Sequence, residues 1–197
     1  MSVIDKQKWD AKYLKKSQLL LPRDASTNLK AYIKYTKPEY ALDIACGAGR
    51  NSIFLAENGF KVDAVDIAKL ALDTLNEESK AKNLTQKITT HLIDLDVYEI
   101  EKDKYDLIIM ANYLNRDIIK KAKISIKKDG ILFVETYMLD DANEKTKSDM
   151  SNLLQSQELK NIIDNSFKIL YYDEFKNEDY EIYKMKKQVI VAKKTKD

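Results

Sequence analysis

Residues 40–67 read YALDIACGAGRNSIFLAENGFKVDAVDI, and the order of residue types in this stretch decides the fold. Residues 40–46 are a short apolar run holding one carboxylate, Asp43, and the run ends at Gly47-Ala48-Gly49, which reads as a buried strand entering a tight turn. Polar Arg50 and Asn51, with Ser52 as a possible cap, lead into the apolar run 53–56, so a helix starts at the turn. Gly59 stops that helix. Val62, Ala64, Val65 and Ile67 then form a second strand that carries Asp63 and Asp66. A strand, a glycine turn, a helix and a strand in so short a span make one βαβ unit. Glycines lack Cβ, so the backbone can approach a ligand closely at the carboxyl end of the first strand. In dinucleotide sites an acid about 20 residues further on accepts hydrogen bonds from ribose hydroxyls, and Asp66 stands there.

The dinucleotide fingerprint wants a third glycine at position 52, where this chain has Ser52. With Asp43 inside the first strand and Cys46 just before the first glycine, the stretch departs from the NAD pattern. It resembles motif I and the following acid of the class I S-adenosylmethionine-dependent methyltransferases. More narrowly, the "GRNS…LA…G" wording is similar to that of the tellurite-resistance and thiopurine methyltransferase-like group. The resemblance implies an α/β, Rossmann-like three-layer sandwich whose seven-stranded, mostly parallel sheet has order 3-2-1-4-5-7-6 with strand 7 antiparallel. It implies S-adenosyl-L-methionine as cofactor, with S-adenosyl-L-homocysteine as product. It also implies cofactor contacts from Asp43, Ala45, Cys46, Gly47, Gly49, Asn51, Asp66, Ile67, Asp94, Leu95, Ala111 and Asn112.

At 197 residues the length suits one domain with a sizeable core. We expect a single methyltransferase domain over 1–197, with helices in 1–38 covering the site of a core over 39–197. Hydrophobic residues at 44% and charged residues at 34% fit a globular chain rather than a disordered one. The net charge of +2 argues against coating nucleic acid, so a nucleic-acid partner is not expected. One cysteine and one histidine supply neither an internal disulfide nor the usual His/Cys zinc cage, so no metal is expected. The N-terminal stretch has no apolar h-region, and no run approaches the ~18 residues that span a bilayer. The expectation is a soluble, cytoplasmic protein without a membrane partner.

Around the opening stretch the chain reads as alternating helices and strands. Residues 5–21 place Trp9, Tyr13 and Leu14 at helical spacing, and Ser26 or Thr27 can cap a helix over 28–35 with Leu29, Tyr32 and Ile33 inward. Residues 68–82 form an amphipathic helix. Residues 88–95 read as a third strand; His91, in its middle, reads as structural. Residues 105–111, nearly continuous in apolar residues, suit a central parallel strand that delivers residues 112–116 to the edge where open α/β sheets bind ligands. Ile118, Ile119, Ala122 and Ile126 mark the next helix, which stops at residues 127–130. Residues 131–137 are the fifth strand. Residues 138–150 lack periodicity and read equally as a lid or as a disordered loop. Leu159, Ile162 and Ile163 mark a short helix, and 167–175 and 188–194 close the chain as two strands joined by a charged hairpin over 176–187. The lysines of the tail read as a solvated edge that blocks sheet pairing.

No residue stands out as catalytic. The resemblance places the adenine beside Asp94, with Leu95 supplying a backbone N–H, and it places the W-D-x-x-Y element near the acceptor, where Trp9 and Tyr13 line the pocket or else pin the helix to the core. The (Asp/Asn)-Pro-Pro-(Tyr/Phe) loop of nucleic-acid amino-methyltransferases is absent. Residues 112–116, NYLNR, instead resemble the N-Y-L-H-R element of a bacterial branch of small-molecule-like class I enzymes, with Asn115 replacing its histidine. Trp9, Tyr13, Tyr113, Arg116, Glu135 and Tyr137 are the residues expected around a small-molecule methyl acceptor. Arg116 is expected to hold an anionic one or to pair with Asp117 or Glu135. The alternatives are a macromolecular methyltransferase and a non-catalytic S-adenosylmethionine-binding protein of the same fold.

Overall fold

The computed structural model of the chain describes residues 3–144, 150–177, 181 and 184–196. Seven strands form one sheet: β1 Tyr40–Ile44, β2 Lys61–Asp66, β3 Ile88–Leu92, β4 Leu107–Ala111, β5 Ile131–Tyr137, β6 Phe167–Lys176 and β7 Lys186–Lys194. Their order is β3-β2-β1-β4-β5-β7-β6. β1 to β5 pair in parallel, and β7 runs antiparallel to both β5 and β6. The expected topology and strand directions are those observed.

The helices are α1 Val3–Lys15, α2 Thr27–Tyr32, α3 Arg50–Glu57, α4 Lys69–Ala81, α5 Arg116–Ser125 and α6 Glu158–Ile162. Side-chain alternation along the strands sorts them into two layers. One face of the sheet, with Ala41, Ile109, Ile131, Phe133 and Val189, packs under Leu29, Ile53, Leu55 and Leu75 from α2, α3 and α4. The other, with Leu42, Ile44, Ile108, Met110, Leu132 and Ile190, packs under Ile118, Ile119, Ala122 and Leu159 from α5 and α6. β1 and β4 are buried on both faces, which is why their sequences show no polar alternation.

Local chemistry sets the element ends. Ser26 caps α2, its hydroxyl accepting from Leu29 N at 3.3 Å. The helix expected over 5–21 ends at Lys15 and continues as a 3₁₀ turn over Ser17–Leu20. β3 stops at Leu92, three residues earlier than expected, and a turn follows in which Val97 N donates to Asp94 O at 3.3 Å. In the aperiodic segment, residues 138–144 are tied to the start of β7: Lys186 N donates to Asn143 Oδ1 at 2.7 Å, and Asn143 Nδ2 to Met138 O at 2.8 Å. The rest of the lid-or-disorder expectation falls on 145–149, outside the described residues. No helix among the described residues is long and apolar enough to cross a membrane.

Candidate active site

The carboxyl ends of β1, β2, β4 and β5 open into one cavity of about 1450 Å³. Its floor is the glycine turn. Ala45, Gly47 and Gly49 all take left-handed backbone, at φ 56, 55 and 81, and Gly49 N closes the turn on Cys46 O at 3.0 Å. Glycine is required here for space as well as for φ. A Cβ on Gly49 would fall 2.2 Å from Leu75 Cδ1, and one on Gly47 would fall 2.9 Å from Tyr13 Oη. α3 starts at Gly49, so the positive end of its backbone dipoles faces the turn.

Two carboxylates flank the turn. Asp66 accepts from Gly47 N at 2.8 Å through Oδ2 and from Ala68 N at 2.9 Å through Oδ1, so the end of β2 is fastened to the turn after β1. A carboxylate has about four acceptor positions, more than these backbone donors fill. Burial raises the Asp66 carboxyl above its usual range, and the backbone N–H groups oppose that rise. Asp43 is 2% exposed and accepts from Ser52 Oγ at 2.6 Å. Burial pushes it up to about 7, against the pull of the Ser52 hydrogen bond. Ser52 therefore stands at the third glycine position as a partner for the buried acid. Asn51 Oδ1 accepts from Ser26 N at 3.1 Å, linking α3 to the cap of α2.

α1 lies across the mouth of this half. Tyr13 is buried against Ala68 and Ala71, with its hydroxyl over Gly47; burial raises its phenol, and the Asp66 charge adds to that. Trp9 sits 6.3 Å from Tyr13, ring to ring, under Lys12 Nζ at 3.8 Å. Asp10 Oδ1 accepts from Leu70 N at 3.3 Å, fixing α1 to the start of α4. Both aromatics line the cavity, with Tyr13 at the glycine turn.

The other half is built from β4, β5 and a strap over residues 21–25. Asn112 follows β4 with φ 59, and its N donates to Glu135 O at 2.8 Å. Asn112, Tyr113, Leu114, Asn115, Thr136 and Tyr137 line this half, together with Arg23, Arg50 and Glu181. Asn115, in the place of the histidine, caps α5 by accepting from Asp117 N and Ile118 N at 3.0 and 3.1 Å. Glu181 is the charged centre. It lies 3.3 Å from Arg50, 3.3 Å from Lys187 and 3.8 Å from Arg23, and accepts from Asn112 Nδ2 at 3.2 Å. Burial alone would raise its carboxyl, but Lys187, Arg50 and Arg23 outweigh burial and hold it below its usual range.

Three residues expected at the site are placed elsewhere. Arg116 turns away from the cavity onto Glu158, with Nη2 3.0 Å from Oε2, and onto Ser151 O at 2.7 Å. Its partner is neither Asp117 nor Glu135, because α6 brings Glu158 under the first turn of α5. Glu135 is 0% exposed and accepts from Ser26 Oγ at 2.7 Å and Asn28 Nδ2 at 3.0 Å, with Lys187 Nζ at 3.4 Å. It shares the face of Ile131 and Phe133, so it points under α2 rather than into the cavity. The cavity wall takes in Leu95 and Asp96 instead of Asp94, because Asp94 Oδ1 turns back to accept from Asp96 N at 2.9 Å. His91, expected to be structural, bonds Asp63 at 3.1 Å on the flank of the sheet. Arg23, Arg50, Glu181 and Lys187 were not anticipated. Arg23 and Arg50 are two of the three arginines in the chain, a scarcity that could have drawn attention to them.

A model of the family described as "Tellurite resistance protein TehB" matches residues 7–188. A probable S-adenosyl-L-methionine-dependent methyltransferase TehB from Haemophilus influenzae is 32% identical over 115 residues, covering 55% of this chain and 39% of that protein. The chain thus spans well under half the length of the curated relatives it matches, 39% of the first and 29% of the second. The crystal structure of TehB from Haemophilus influenzae superposes with TM-score 0.75 at 27% identity, covering 87% of this chain and 63% of that one. An S-adenosylmethionine-dependent methyltransferase from Methanosarcina mazei, at TM-score 0.67 and 19% identity over 89% of this chain and 100% of that one, shares the fold.

Proposed function

The chain belongs to the tellurite resistance protein TehB family, and we propose that it is an S-adenosylmethionine-dependent methyltransferase acting on a small anionic acceptor. The observation that carries this reading is a single cavity joining the glycine turn and its two acids at one end to an arginine pair at the other. Each end fits its part. Asp66 retains acceptor capacity for a ribose hydroxyl, the turn presents backbone without Cβ at Gly47 and Gly49, and Leu95 and Tyr13 offer apolar walls. Ala45, Cys46, Asn51, Ile67, Ala111 and Asn112 complete the wall on the cofactor side.

The cofactor supplies an activated methyl group for in-line displacement, so the protein's task is positioning and exclusion of water. An oxyanion or thiolate is already a nucleophile, and such a site works without a general base. Arg23 and Arg50 bring planar, permanently charged donors to the acceptor end, the role expected of Arg116. Tyr113, Thr136 and Tyr137 shape the space beside them. The strap over 21–25 is held across that end by Arg50 Nη1 on Asp24 O at 3.2 Å and by the Ser26–Asn51 bond.

Calorimetry of the purified chain with S-adenosylmethionine and with NAD tests the cofactor half. Binding of the first and none of the second is expected; tighter binding of NAD would sink the proposal. Release of S-adenosylhomocysteine with selenite, but not with a matched neutral thioether, is expected for the acceptor half.

A further inference from the structure

Among the described residues, Glu181 is the carboxylate that the ion pairs set against both Arg23 and Arg50. Its side chain is 4% exposed, between an Arg50 that is 8% exposed and an Arg23 that is 24% exposed. Lys187, fully buried, stands behind it and divides its charge between Glu181 and Glu135 at 3.3 and 3.4 Å. Asn112 adds a neutral donor from the end of β4. A carboxylate that receives an ammonium, two guanidinium groups and an amide N–H has little basicity left, and its depressed proton affinity agrees. A general-base role is therefore the wrong chemistry for it. An oxyanion entering the cavity needs the same guanidinium donors, and two anions cannot share them without repulsion.

We infer that Glu181 is an internal competitor for the acceptor's negative charge, a specificity-determining residue that an anionic acceptor must displace from Arg23 and Arg50. This deepens, and rests on, the reading of the site as one for an anionic acceptor. The displaced carboxylate keeps Lys187 and Asn112 as partners, so its charge is never left alone in the interior. Arg23, the more exposed and more distant cation, gives way first; Arg50 and Lys187 lie closer and hold longer. Weakly held monoanions fail to displace Glu181, and neutral molecules of the same size gain nothing from the arginines. The contact thus filters acceptors by charge before methyl transfer begins.

The test is titration of sodium selenite into the full chain saturated with S-adenosylhomocysteine, for the wild type, Glu181→Gln and the double variant Arg23→Gln/Glu181→Gln. Glu181→Gln keeps the shape and the Asn112 contact but removes the competing charge, so selenite should bind about ten-fold tighter or more. The double variant should lose most of that gain. Equal or weaker binding by a folded Glu181→Gln overturns the inference. Should Glu181→Gln melt below the assay temperature, Glu181→Asp, which draws the charge one methylene back from the arginines, should show a smaller gain in the same direction; no gain there also overturns it. A selenite gain with no S-adenosylhomocysteine released from any acceptor would leave Glu181's role standing and remove the methyl-transfer reading. Turnover without the gain would do the reverse.

Discussion

Asp43 carries a carboxyl group into a place with almost no solvent, and its one side-chain hydrogen bond, from Ser52, does not compensate. Its folded-state pKa of about 7 lies above the ~3.9 of an unfolded aspartate. Between those values the native chain holds a proton that the unfolded chain has released, so stability falls as pH rises through that window and levels off above it. Asp43→Asn removes the titration while leaving an amide oxygen to accept from Ser52. The variant should be more stable than the wild type at pH 8 and lose that advantage toward pH 4, with a difference of roughly 3–4 kcal/mol between the two ends. Urea midpoints across the range read it, and a wild-type minus variant difference that stays flat from pH 4 to 8 defeats the assignment. Asp43 and Asp66 were legible in the sequence because one lies inside the first strand and the other ends the second strand of one βαβ unit, where spacing places them. Asp94 was misplaced for a local reason: β3 ends at Leu92, and the turn that starts at Asp94 hands the cavity wall to Leu95 and Asp96.

At the scale of elements, the cap of α2, the start of α3 and the ends of β5 and β7 are joined by one buried set of polar bonds through Ser26, Asn51, Glu135 and Lys187. Ser26 spends its hydroxyl on Glu135 while also accepting from Leu29 N. Ser26→Ala loses both bonds and should cost ~1–2 kcal/mol, in the usual range for a helix cap. Glu135→Ala takes one carboxylate from the buried Lys187 ammonium, which keeps Glu181 at 3.3 Å, and should cost ~3–5 kcal/mol. Equilibrium unfolding in denaturant ranks the two; a Glu135→Ala variant no less stable than Ser26→Ala would show that Lys187 is not held by Glu135. The period-2 pattern of β5 already sets Glu135 on the face of Ile131 and Phe133, so its direction could have been read from the strand. The identity of what covers that face, α2, could not. The same limit applies to Arg116, whose partner Glu158 is supplied by an element far along the chain.

For the molecule as a whole, the order of the sheet was legible because glycine turns, apolar runs and the closing antiparallel pair repeat a known arrangement. The arginine end of the cavity was not, because Arg23, Arg50, Asn112, Glu181 and Lys187 come from five separate parts of the chain and meet only when the sheet is complete. That construction makes the cavity a property of the entire fold: its walls come from α1, the strap, the glycine turn, β4, β5 and the segment before β7. A ligand that fills it binds the native state and not the unfolded chain, so its free energy adds to global stability rather than to one element. At S-adenosylmethionine near 100 times its dissociation constant the gain is about 2.7 kcal/mol. For a chain of this length that corresponds to a rise in Tm of roughly 5–10 °C. Scanning calorimetry should show a single transition that moves upward as one unit with S-adenosylmethionine and stays in place with NAD at the same concentration. A split transition, with only part of the heat moving, would mean that α1 and the strap fold independently of the sheet and that the cavity is not assembled in the way the contacts of Tyr13 and Ser26 require.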